Sequence, residues 1–459
     1  MIQRLLDTLR ARLPARIRQD ANLKDLLRNS GILYAAGMIS LALTFVQQVS
    51  TANWLGSEDY GRLAIVLSSG LLVMLVIDFR TWEIGTKLLT NNTDDASSEE
   101  TVRVTSWLAG IEIVSGVLSV LVMILLSSLI AEHLLKVPHL QDLIAIYALA
   151  IPFRILSSGV LSVFPRIYGR FDWLAWKSIA YSLIRLFLMS GAAMLGTGLP
   201  GVVLGAIIGE IFNFGLLTVI ALRLYRPRVP RLYDFTRPAQ FGEGRRMMGE
   251  VWISSSLAGL HYQTFIPVMA LLTTPAQVGL FRSGLDVVEL LERIIQPLSI
   301  VFTPKIIALY HSGDHPSFLR YLKQCAALLT SMVLPIVIGV MIFGPILLPL
   351  ILQSEGFQDV AIITNILMMG TGIHTVLQWW LRPAAIATRT VYEQNNAQLT
   401  LIILSLAIMA LTVPAYGALA GAWVKAGFLT LFSVMSLLLF LRHRNKRHPA
   451  IESEMSLVK

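Results

Sequence analysis

The chain has 459 residues, 55% of them hydrophobic and 14% charged, with a net charge of +9 and a mean hydropathy of +0.67. Soluble domains carry about 25% charged residues, so this composition excludes a soluble globular protein. The one cysteine, Cys325, excludes an internal disulfide framework or a thiolate metal cluster, and the absence of GxxxxGK[ST] and HExxH patterns argues against ATP hydrolysis and zinc-protease chemistry. Residues 1–29 carry Arg4, Arg10, Arg12, Arg16, Arg18, Lys24 and Arg28 with no apolar core before Gly31, unlike a signal peptide. Ile2, Leu5, Leu6, Leu9, Leu13 and Ile17 fall on one stripe, so this segment reads either as a basic helix lying on the inner leaflet, broken at Pro14, or as a disordered tail. Apolar runs long enough to cross about 30 Å of hydrocarbon then follow. They lie near 31–53, 61–80, 104–131, 141–165, 175–197, 201–224, 248–272, 277–303, 319–343, 358–381, 394–413 and 416–441. The stretch Gly344 to Leu352 is apolar but too short to cross alone, and either extends the ninth helix or re-enters.

The basic residues agree with twelve spans. With a cytoplasmic N-terminus, most of the 37 Lys and Arg fall in the N-terminal tail, the even-numbered loops and the C-terminal tail, and only Arg62 and Lys136 fall in external loops. One miscounted helix would scramble that partition, so the positive-inside rule supports both the count and an N-in, C-in orientation. Trp54, Trp82, Trp107, Trp173, Trp176, Trp252, Trp379 and Trp380 lie near expected helix ends, at headgroup depth. Anionic inner-leaflet lipid accounts for the pI of 9.7 without nucleic acid. The sequon Asn91-Asn92-Thr93 falls on the cytoplasmic side and is discounted.

Two pairs of turns point to an internal repeat. Gly61, after helix 1, aligns with Gly279, after helix 7; the GxxxGA of Gly201–Ala206 aligns with that of Gly417–Ala422 at nearly the same offset. Six helices per unit is even, so the halves enter the membrane the same way, as parallel repeats do. The expected fold is therefore all-α and membrane-embedded, with twelve helices in two six-helix lobes, 30–225 and 248–441. A basic cytoplasmic linker, 226–247, separates them, and a cytoplasmic tail, 442–459, follows.

The turn "LGSEDYGRLAIV", with "VGLFRSGLDVVELLERIIQPLSIVFTPKI", "GPILLPLILQSEGF" and "VPAYGALAGAWV", resembles Wzx-type polysaccharide flippases of the MOP superfamily, which also holds the MATE exporters and the lipid II flippases. The resemblance covers about residues 29 to 441. One departure is Asp78-Phe79-Arg80, where such proteins usually show Gly after Asp-Phe; either a close-packing turn is lost there or Arg80 has a local role. The resemblance implies a V-shaped pair of lobes that open alternately, a cavity lined by helices 1, 2, 7 and 8, and no cofactor. It implies a cargo of oligosaccharide on undecaprenyl pyrophosphate, moved to the outer leaflet of a bacterial inner membrane beside glycosyltransferases and a polymerase of the same pathway.

Charges inside the spans are the candidate sites, because each is costly unless it faces protein or water. Arg282, Asp286, Glu289 and Arg293 in helix 8 are spaced 4, 3 and 4 apart, hence on one face. They read either as a cavity wall, with Arg282 on pyrophosphate or sugar and Asp286 or Glu289 holding a coupling cation, or as mutually neutralised i,i+4 pairs. Glu112, Arg154, Arg185 and Glu210 in helices 3 to 6 either pair with one another or present Arg154 or Arg185 to phosphate, for which bidentate arginine is suited. Lys425 has no acid nearby in its own helix and needs a cross-helix partner or a substrate. Gln47 and Gln48 in helix 1 either bind sugar hydroxyls or join helices, and His261 and His374 read as packing residues. A MATE-type drug or metabolite exporter is the alternative, and would favour an acidic, aromatic cavity. A polysaccharide polymerase or ligase is the alternative of another class; it would place catalytic residues on sizeable external loops, and the loops here are short.

Overall fold

The computed structural model describes residues 21–90, 99–129, 131, 140–229 and 231–457; the basic segment 1–20, the Asn91-Asn92-Thr93 sequon and Lys136 lie outside them. Among the described residues the chain is helical without strands. In chain order the helices are α1 (Ala21–Ile77), α2 (Thr81–Thr90), α3 (Glu99–Ser128), α4 (Gln141–Tyr147), α5 (Ala150–Ser158), α6 (Phe164–Ile167), α7 (Phe171–Arg185), α8 (Gly191–Met194), α9 (Gly198–Tyr225), α10 (Phe241–Gln263), α11 (Phe265–Leu272), α12 (Pro275–His311), α13 (His315–Ile351), α14 (Val360–Thr388) and α15 (Val391–Leu457). Seven helical stretches are long and apolar enough to cross a membrane among the described residues. Helix is what hydrocarbon demands, since every backbone N–H and C=O must find its partner within the segment. The chain is thus a multi-pass membrane protein.

The breaks fall where the residues permit them. Gly56, at φ 77° and ψ 170°, divides α1 into arms 21–55 and 57–77, and Gly417, at φ 54° and ψ −132°, divides α15. Side chains resist positive φ, so glycine marks both turns. Arg80 takes φ 47°, the region a glycine would occupy without strain. Its N–H donates to Asp78 Oδ1 at 2.9 Å and its guanidinium reaches Glu83 at 3.3 Å, so the turn is kept and Arg80 has a local role in holding it. The apolar stretch after Gly344 continues α13 to Ile351, extending that helix rather than re-entering. Helix α10 starts at Phe241, ahead of the apolar boundary at 248, because a helix runs on past the hydrocarbon with polar residues such as Glu243, Arg245 and Arg246 on it.

Contacts close both ends of the bundle. At the basic face, Trp252 Nε1–H donates to the Val76 carbonyl at 2.8 Å, Ser256 donates to the Leu75 carbonyl at 2.9 Å, and Lys87 pairs with Glu243 at 2.8 Å, joining α10 to the end of α1 and to α2. The linker lies on α3, with the Asp234 N–H on Ser106 at 2.9 Å and the Ala239 N–H on Glu100 at 2.6 Å. At the opposite face, the turn at Gly56 packs on the start of α12. A Cβ on Gly61 would lie 1.7 Å from the Pro275 carbonyl oxygen, and one on Gly279 would lie 2.0 Å from that of Ser57. These are the two glycines that the repeat aligns, and they face each other across the seam.

Glu112 is a joint rather than an ion pair. It is 2% exposed and accepts from Thr81 Oγ1 at the start of α2 and from the Val160 N–H at 2.6 Å, at the break that ends α5. Among the described residues no cation lies within ion-pair distance of it. A Cβ on Gly159 would sit 2.2 Å from its carboxyl carbon, so the glycine makes the space that the carboxylate fills. Gly159→Ala is expected to destabilise the protein by about 2 kcal/mol through overpacking. Thermal unfolding in detergent measures this, and an unshifted midpoint would mean that Glu112 swings aside freely.

Candidate functional site

The helix 8 stripe runs from a buried end at Asp286 to an exposed end at Arg293. Arg282 pairs with Asp286 at 2.6 Å and with Glu289 at 3.5 Å, and Glu289 pairs with Arg293 at 3.3 Å. Asp286, 4% exposed, also accepts from Gln48 Nε2–H at 2.6 Å and from the Tyr60 hydroxyl at 2.5 Å. Gln48 and Tyr60 stand on the two arms of α1, so the break at Gly56 is what lets both reach one carboxylate. The space left beside Gln48, Tyr60, Ser283 and Asp286 is about 10 Å³, roughly the least that holds one water. In this conformation the Asp286 end of the stripe is closed to any larger ligand, and Arg282 is held by two carboxylates.

Lys425 finds its counter-charges across helices. Its ammonium lies 4.8 Å from the Phe265 ring centre, it is 7% exposed, and Glu292 and Glu289 on α12 are within electrostatic range. His374 Nδ1 meets the Ser433 hydroxyl at 3.1 Å, and His261 Nδ1 meets Gln398 Nε2 at 3.0 Å, with the two imidazoles 6.1 Å apart. Both histidines bridge helices. The C-terminal half therefore sets Arg282, Arg293 and Lys425 against Asp286, Glu289 and Glu292, an even balance.

In the N-terminal half the arginines gather on Glu210. Glu210 on α9 meets Arg154 of α5 at 3.8 Å and accepts from the Tyr181 hydroxyl of α7 at 2.7 Å. Arg185 lies one turn beyond Tyr181, its guanidinium 5.7 Å from that ring and 3.5 Å from Met189 Sδ, and its Nε has no hydrogen-bond partner among the described residues. Arg154 keeps 37% of its side-chain surface accessible while its helix neighbours Ile151 and Ile155 are each 1% exposed. Arg154 and Arg185 thus both face Glu210, Asp78 also lies within electrostatic range of Arg154, and Arg154 is reachable.

Gln47 does not stand with this group or with Asp286. Its side chain donates to Thr51 at 3.1 Å within α1, and its carbonyl accepts from Ser190 at 3.2 Å. Successive helical residues point about 100° apart, so Gln48 rather than Gln47 meets Asp286. Sequence reading passed over Tyr60, Tyr181 and Glu292. Glu292 carried a visible signal, three residues after Glu289 in the same charged helix. The tyrosines carried none, because an interior hydroxyl is silent in hydropathy. Among the described residues no group of His, Cys, Asp and Glu is arranged to hold a metal ion.

Solved structures of similar fold are transporters. A multidrug resistance MATE family transporter of the MOP superfamily, in an inward-facing conformation, matches 91% of this chain and 99% of its own with a TM-score of 0.70 at 14% identity. The lipid II flippase MurJ in an inward closed conformation matches 90% of each chain, with a TM-score of 0.69 at 14% identity. A MOP superfamily transporter from Pyrococcus furiosus matches 91% of this chain and 95% of its own, with a TM-score of 0.63 at 14% identity. At such identities the likeness is one of fold. No curated protein matches this chain in sequence. A family profile described as polysaccharide biosynthesis protein matches residues 52–361, so the chain belongs to that family and has the fold of the MOP superfamily transporters.

Proposed function

We propose that the protein is a flippase that carries an oligosaccharide linked to a polyprenyl diphosphate from the inner to the outer leaflet of a bacterial cytoplasmic membrane. Twelve spans form two six-helix lobes, 30–225 and 248–441, with both termini in the cytoplasm, and alternating access moves the cargo between them. The observation that carries this reading is the cluster of interior arginines in the N-terminal half: Arg154 and Arg185 both face Glu210 and Arg154 stays partly accessible, while Arg282, Arg293 and Lys425 face Asp286, Glu289 and Glu292. An interior of that kind attracts a diphosphate and leaves sugar hydroxyls to neutral donors. Arginine suits the task, since its planar fork grips phosphate oxygens two at a time. Membership of a polysaccharide biosynthesis family and the fold of a lipid II flippase support the same cargo class. Asp286 and Glu289 remain the proposed seats of a coupling cation.

Vesicles carrying purified protein and a lipid-linked oligosaccharide provide the test. Arg154→Ala and Arg185→Ala are each expected to slow translocation about tenfold or more, the size of a lost charge-assisted hydrogen bond. Transport by both variants at the parent rate would remove the diphosphate from this cluster.

A further inference from the structure

Lys177 belongs to the same cluster, although it stands near the start of its helix. It stands inside α7, where Lys177, Tyr181 and Arg185 are spaced i, i+4 and i+8 and so line one face. At 1.5 Å per residue the stripe covers about 12 Å along the helix axis. Its outer end is at headgroup depth: Trp176 is 71% exposed, and Trp173 stacks under the Arg170 guanidinium at 4.2 Å. Its middle is pinned by the Tyr181 hydroxyl on Glu210, and its inner end is Arg185, whose Cγ would lie 3.1 Å from a Cβ on Gly209. The stripe runs from the interface to the interior.

Lys177 is half-buried, and among the described residues it makes no ion pair. Glu210 is within electrostatic range of it but is already shared by Arg154 and Tyr181. Arg154, Arg166, Lys177 and Arg185 thus outnumber the neighbouring carboxylates Glu210 and Asp78 by two. The surplus matches a diphosphate diester, which carries one negative charge on each phosphate. Residue type fits position: lysine is a compact, hydrated charge on a flexible stem, suited to a passing contact, and arginine is the better grip further in.

We propose that Lys177 is the receiving residue for the diphosphate, meeting the anion at the basic face of the membrane and passing it along α7 to Arg154 and Arg185. This rests on the flippase reading above and names the first protein contact of its cargo. Lys177 contacts the cargo only at entry, so its loss weakens capture and leaves the later steps intact.

The experiment uses the full-length protein in vesicles, with a polyprenyl diphosphate as binding probe, the matching polyprenyl alcohol as control, and translocation of the lipid-linked oligosaccharide as second readout. Lys177→Gln and Lys177→Met are expected to raise the half-saturating concentration of the diphosphate about tenfold. The maximal rate stays within about twofold, Lys177→Arg restores the parent affinity, and thermal unfolding checks each fold. Binding of the alcohol is unchanged throughout. Parent-like affinity in both neutral variants overturns the assignment of Lys177 alone, as does a fall in maximal rate without a change in affinity. A parent protein that binds diphosphate and alcohol equally overturns the flippase reading and this assignment with it.

Discussion

Gly61→Val is expected to abolish net translocation while leaving the protein folded. The Cβ of any residue at 61 would lie 1.7 Å from the Pro275 carbonyl oxygen and 2.8 Å from the Gly279 nitrogen. These are backbone atoms of α12, and they give way only if the whole helix moves. Overpacking of this kind costs about 1–3 kcal/mol. Charged to one of two conformations, that cost shifts their balance roughly 5- to 150-fold toward the one in which the seam is open. Gly279→Val should act alike, since its Cβ would meet the Ser57 carbonyl oxygen at 2.0 Å. The readout is a cysteine placed at Ser283, one turn inside Gly279 and 4% exposed. The native Cys325, which is the single cysteine of the chain, is first replaced by Ser. A membrane-impermeant maleimide applied at the face opposite the basic one should label the Gly61→Val protein and spare its parent. Absence of labelling together with retained transport would show that this contact takes no part in gating.

Asp286→Ala should cost more stability than any other single change in the helix 8 stripe, about 3–5 kcal/mol. The substitution removes the acceptor of three donors, Arg282, Gln48 and Tyr60, and leaves the guanidinium with Glu289 alone at 3.5 Å. The penalty is mainly that of an inward-facing charge left short of its partner rather than the worth of the pair itself. Gln48→Ala, which removes one neutral donor, should cost about 1 kcal/mol. Thermal unfolding of both variants in the same detergent gives the ranking. Equal midpoints would mean that water reaches Arg282 freely, contrary to the closed packing around Asp286.

Much of the architecture was legible in the residues because it rests on local chemistry. Hydropathy runs foretold a helical membrane chain, seven of whose described stretches are long and apolar enough to cross, and glycines at 56 and 417 sit where the chain turns. The spacing of Arg282, Asp286, Glu289 and Arg293 placed them on one face before any coordinate did. Hydropathy was a poorer guide to where helices stop, since α10 runs out beyond the apolar boundary to Phe241 on residues that water tolerates. The aligned pair Gly61 and Gly279 was visible as a repeat but not as a contact, because alignment says that two turns are alike and nothing of whether they touch.

The amino-acid sequence by itself determined that the chain is helical and embedded in a membrane, and which stripes carry charge. Those properties follow from the cost of placing polar groups in hydrocarbon and from the fixed period of the helix, both of which act within one segment. Tertiary structure alone decided that Gln48 rather than Gln47 meets Asp286, that Glu112 bonds a helix break instead of an arginine, and that Glu210 serves Arg154 while Lys177 and Arg185 stay in surplus. Each of these depends on how far a helix is rotated about its own axis and on which neighbour it packs against. A rotation of one residue, about 100°, exchanges one set of partners for another, and the energy that selects it comes from contacts between segments distant in the chain.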